Sequence, residues 1–170
     1  MPSPFVTTIT EPALGNAEYT ANTPEAAAAL EGCTAQALSK LSKSDKDLLK
    51  SSTESAKELV VQATDALVAR RSRNNVQIAK LTEQSDQLKS DRNVVIQFQQ
   101  VLQPVSDSCV SAAELSGSTK TLTNRLFTES VELDYRISIK QLLDGKIGLR
   151  IKDAENVVEK LDELLYLLSQ

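Results

Sequence analysis

Between Ser44 and Gln103, Val60, Leu67, Asn74, Leu81, Leu88, Val95 and Leu102 recur at every seventh position, and no Pro or Gly intervenes. A seven-residue repeat keeps to one stripe of a slightly underwound α-helix, so this stretch predicts one long helix, or two laid end to end, over about 44–103. Unbroken, it would run roughly 90 Å, far more than a compact domain needs. Ser44 with Asp47 three residues on predicts its start, and Pro104 its stop. Ala56 and Ala63, four residues before Val60 and Leu67, begin a second row that weakens to Arg70, Gln77, Gln84 and Asp91, while Ile78 and Ser85 lie on the other side of the stripe. So irregular a seam predicts an antiparallel partner helix from the same chain rather than a long parallel dimer. Asn74 is the polar seam residue placed to fix register.

Upstream, residues 1–22 hold Pro2, Pro4 and Pro12 without periodic apolar positions and predict a flexible tail. Thr23, Pro24 and Glu25 form a helix start, giving a helix from Pro24 to Leu41 whose face of Leu30, Cys33, Ala37 and Leu41 packs against another helix. Past Pro104, where Ser106 or Asp107 serves as the next cap, Leu115, Leu122 and Leu126 keep helical spacing to about Phe127, with Gly117 a weak point.

The period then changes. Val131, Leu133, Tyr135, Ile137 and Ile139 alternate with polar residues, as do Ile147, Leu149 and Ile151, with Leu143-Asp144-Gly145 suited to a hairpin loop between them. A β-hairpin over 131–152 is therefore expected, followed by a final helix over 153–169 capped by Asp153. Its rival is an αα-hairpin, because Ile147, Ile151, Ala154, Val158, Leu161, Leu165 and Leu168 follow an unbroken four-and-three spacing. Against that rival stand Gly145 and Gly148 and the scatter of apolar residues that a helix over 127–143 would show. The fold class expected is mainly α, long antiparallel helices in a helical bundle or coiled coil, with a small hairpin or all-α. One helical domain spans 23–170.

Composition narrows the function. With aromatic residues at 4% and no Trp, the core must come from aliphatic side chains, which suits helix packing better than a ligand cleft. The net charge of -4 divides into an acidic start, a middle over 40–100 with 11 Lys and Arg against 8 acids, and an acidic end. That pattern suits charge-paired helices better than a nucleic-acid surface. No His is present, which removes His-ligated metals and His-based catalysis together. Cys33 and Cys109 stand apart from any CxxC spacing and read as small buried hydrophobes, with a disulfide between them as the alternative. No phosphate-loop, nucleophile-elbow or calcium-loop motif occurs, and Gly145-Lys146-Ile147-Gly148 matches only the bare GxxG of KH-type RNA binders. Neither a catalytic residue nor a cofactor is assigned, and the chain is expected not to be an enzyme.

The reading that remains is a structural or protein–protein interaction protein that acts through helix packing, as an oligomer or a subunit of a complex. Its candidate interaction residues are Leu81, Leu88 and Val95 on the stripe and Leu161, Leu164, Leu165 and Leu168 on an over-apolar terminus. The alternative is a membrane-active or secreted helical protein, pore-forming or effector-like, whose hairpin and terminal leucines open onto lipid, although no segment is long enough to span. The weaker third reading is phosphate contact, in nucleic acid or lipid, through Arg70, Arg71 and Arg73. Without a signal peptide the expected compartment is the cytoplasm, leaderless secretion being the other route.

Overall fold

A computed structural model describes residue 32 and residues 34–170. The expected tail over 1–22, the helix start at Thr23 and the role of Cys33 lie outside these. After a helical stretch over 34–39, two long helices make up the fold: α1, Lys43–Ser106, and α2, Val110–Leu168. They pack against each other antiparallel, and the described residues contain no strand. The mainly α expectation therefore holds, in its all-α form.

The chain divides into two compact units, one of them Val60–Val157 and the other combining the chain up to Leu59 with Val158–Gln170. In the Val60–Val157 unit the inward positions of α1 alternate by threes and fours without a slip, from Val60, Thr64, Leu67 and Arg71 through to Val95, Gln99 and Leu102, with Ile96 half-buried beside Val95. Those of α2 do the same from Ala112, Ser116 and Thr119 to Ile147, Ile151 and Ala154. This is the spacing of a heptad seam. In the second unit Leu38 and Thr53 are buried and Lys57 pairs with Asp162.

Several expectations about element ends are corrected. α1 starts two residues earlier than Ser44 suggested, because Ser42 is the cap: the Asp45 N–H donates to the Ser42 hydroxyl at 3.1 Å, and that hydroxyl donates to the Asp45 carboxylate at 2.6 Å. Pro104 does not stop the helix; it lies in the last turn, where a missing N–H breaks only one bond, and α1 continues to Ser106. The Ser106 hydroxyl donates backward to the Gln103 carbonyl instead of capping α2, and the turn over 107–109 follows. Cys109 is exposed and free in that turn, so it is neither a buried hydrophobe nor disulfide-bonded.

The β-hairpin over 131–152 is corrected as well: α2 runs through it, and no separate helix begins at Asp153. Three causes act together. Helix on both sides makes propagation across the segment cheaper than two new boundaries. A lone two-stranded hairpin has too little to pack against. The four-and-three spacing that the sequence shows from Ile147 to Leu168 extends back to Ala112, so the whole of α2 has one face to bury. Gly117, Gly145 and Gly148 are tolerated inside it, all with ordinary helical backbone.

Candidate functional site: a polar seam and an apolar outer face

The inner side of the Val60–Val157 unit mixes aliphatic and polar layers. Ile147 is its deepest large side chain at 1% exposure, with Ile137, Ile151 and Ala112 also buried. Burial of polar side chains is as extensive: Asn74, Ser85, Ser116, Thr123 and Ser130 are all enclosed. Buried polar atoms need partners, and most find them locally or across the seam. The hydroxyls of Thr123 and Ser130 donate to carbonyls one turn back on α2. Asn74, 5% exposed, donates its side-chain N–H to the Lys140 backbone carbonyl at 2.8 Å, so this seam residue recognises α2 directly.

Two charged clusters flank that contact. Arg71 grips Asp144 with two parallel bonds, Nε at 2.9 Å and Nη2 at 3.1 Å, the geometry in which guanidinium and carboxylate match best. Gly148, one turn beyond Asp144, leaves room for it: a Cβ there would stand 3.3 Å from the guanidinium. The hydrogen bonds from Arg71 hold the Asp144 carboxyl below its ordinary range; burial opposes them, and the charge of Arg71 and a hydrogen bond from Asn75 add smaller lowering effects. Further along, Ser85 donates to Asp134 at 2.6 Å and Lys89 pairs with the same carboxylate at 2.9 Å, which lowers the Asp134 pKa in that order of importance. Toward the turn, Gln99 donates to Thr123 and the Arg92 guanidinium stacks over the Phe127 ring at 4.7 Å.

The positions singled out in the sequence fall as follows. Leu81, Leu88 and Val95 lie half-buried on the α1 seam row; Leu161, Leu164, Leu165 and Leu168 are half-buried near the end of α2. Of the three arginines, Arg71 is engaged by Asp144, whereas Arg70 and Arg73 are exposed. The second α1 row is Lys57, Thr64, Arg71, Ile78, Ser85, Arg92, Gln99 and Ser106, not the row of Ala63, Arg70, Gln77, Gln84 and Asp91, which faces solvent. The seam is regular in spacing and irregular only in chemistry.

No sequence signal singled out the outer face of α2. Here Val131 (49% exposed), Tyr135 (67%), Ile139 (50%), Leu142 (63%) and Leu149 (66%) follow one another at helical intervals on the side away from α1. Single exposed apolar residues are ordinary, but a run of five along one helix face is an unused surface. No group of His, Cys, Asp or Glu among the described residues could hold a metal ion, and no described helix is long and apolar enough to cross a membrane. A depression on α1, at Ala79, Thr82, Glu83, Asp86 and Gln87, draws all its walls from one helix and opens to solvent.

No family model, curated protein or solved structure matches the chain.

Proposed function

We propose that this chain is a structural or protein–protein interaction protein that works by helix packing, as an oligomer or as a subunit of a complex. One observation carries the reading. The inner faces of α1 and α2 satisfy each other, yet α2 still presents five exposed apolar side chains along one face from Val131 to Leu149. Covering such a run is favourable by roughly 25 cal/mol per Å² of apolar surface removed from water. The seam supplies rigidity and the outer face supplies the contact, so Leu81, Leu88 and Val95 act indirectly, by holding α2 in place.

The membrane-active alternative rested on an alternating hairpin and on the terminal leucines opening onto lipid; the helical α2 removes the hairpin, which leaves the half-buried Leu161, Leu164, Leu165 and Leu168 as its support. Phosphate contact keeps only Arg70 and Arg73 of its three arginines.

The test is the native size of the tagged full chain in extracts of its own cells, beside that of Leu142→Asp. An assembly larger than 18.5 kDa that shrinks with Leu142→Asp supports the reading. A wild-type chain that runs alone overturns it.

A further inference from the structure

We infer that the outer face of α2 is the docking surface for a second copy of the same chain, with the two α2 helices antiparallel about a two-fold axis level with residue 140. The inference rests on the interaction reading above and names its partner. Numbering alone then fixes the pairs, since a residue meets the one whose number adds with its own to about 280.

The resulting matches are of size as well as polarity. Val131 meets Leu149 of the second copy, Tyr135 meets Gly145, and Leu142 meets Ser138, so the largest group, Tyr135, lies over the smallest and Leu142 lies over a serine. Interdigitation of large and small residues is what lets helices approach closely. On one flank Ile139 meets its own copy and Glu132 meets Lys146; on the other, Gln141 meets Gln141. All of these side chains are exposed on the single chain. Glu132 and Lys146 make no ion pair or hydrogen bond within it among the described residues. The two-fold uses each charge pair twice, and a parallel arrangement would set Glu132 against Glu132.

Gly145 agrees with this pairing; Gly117, as open, lies beyond the paired stretch. Glycine inside a helix is unfavourable relative to alanine, and nothing in this fold demands it there, because a Cβ at Gly145 would meet open space. Gly148 makes way for Arg71; Gly145 makes way for nothing in its own chain. A tyrosine ring from a second copy supplies the missing reason.

The test is sedimentation equilibrium on the purified full-length chain, with melting temperature recorded for every variant. Wild type is expected to be a dimer. Glu132→Lys and Lys146→Glu should each weaken it by about tenfold or more through like-charge contact. The double reversal should restore it. Gly145→Leu should abolish the dimer while its melting temperature, read at a concentration where wild type is dissociated, stays equal or rises. Gly117→Leu, in the same kind of open space and on the same face of α2 but two heptads before Val131 and so beyond the paired stretch, should leave the dimer intact. A monomeric wild type, a dimer indifferent to Gly145→Leu, or a double reversal that fails to rescue would each overturn the proposal. If the purified chain is monomeric while the extract shows an assembly sensitive to Leu142→Asp, only the second copy is refuted. If the chain is alone in both, the interaction reading falls with it.

Discussion

The two faces of α2 invert the usual distribution of side chains. The face turned to α1 encloses Ser116, Thr123 and Ser130 and engages Asp134 and Asp144, while the face turned to solvent carries Val131, Tyr135, Ile139, Leu142 and Leu149. Burial of polar and charged groups contributes little net stability, but it discriminates between registers, because a slip by one heptad would leave Arg71, Asn74 and Asp144 without partners. An exposed apolar run contributes nothing to the isolated fold. The contrast teaches that polarity alone does not tell inside from outside here: the inner face carries the polar contacts that set register, and the outer face is the one proposed above for association.

The sharpest way to break the comparison is to truncate one aliphatic side chain on each face. Ile147→Ala should lower the unfolding free energy by about 2–5 kcal/mol, as enclosed aliphatic truncations do. Leu142→Ala, at an exposed site, should change the stability of the dissociated chain by no more than about 0.5 kcal/mol. Urea unfolding monitored by circular dichroism, at a concentration low enough to separate any assembly, checks both. Equal effects would mean that the outer face is covered by the chain itself.

A smaller effect separates the two glycines. Gly145→Ala should stabilise the dissociated chain by about 0.5–1 kcal/mol through helix propensity. Gly148→Ala should gain less, because its methyl must displace the Arg71 guanidinium from 3.3 Å. Matched thermal melts of the two variants make the measurement, and an equal gain would show that Arg71 does not depend on Gly148.

The smallest effect expected is one of pH. Asp134 and Asp144 both have lowered pKa values, so the native state binds fewer protons than the unfolded chain where they titrate. Their contribution is therefore complete above the ordinary carboxylate range near pH ~4 and is lost as pH falls through their lowered values. Melting temperatures followed from about pH 6 down to about pH 2 should drop more steeply for wild type than for a chain carrying Asp134→Asn and Asp144→Asn. Identical slopes would mean that solvent screens both pairs completely.

The α1 stripe was legible in the sequence because Leu67, Leu81, Leu88 and Leu102 are strongly apolar and evenly spaced. Its second row was not. Ala63 resembles a core residue more than Arg71 or Ser85 does, and what draws Arg71 and Ser85 inward is Asp144 and Asp134, 73 and 49 residues away. The first part of α2 was legible as helix from Leu115, Leu122 and Leu126, but its buried face was not: Leu115 and Leu122 are exposed, and the inward Ala112, Ser116, Thr119 and Thr123 pack by being small and carry no hydrophobic period. Alternation over 131–139 misled because Val131, Tyr135 and Ile139 are apolar on the outer face while Leu133 and Ile137 are apolar on the inner one. Two helical stripes on opposite sides of one helix imitate the period of a strand. The four-and-three run from Ile147 onward carried the correct signal and, followed backward, would have found the seam.

The measurement that tests the central claim most directly is the absolute mass of the full chain by light scattering behind a sizing column, across a dilution series. The account predicts twice 18.5 kDa for wild type and 18.5 kDa for Gly145→Leu with its helicity unchanged. A wild-type mass of 18.5 kDa at every concentration would contradict it.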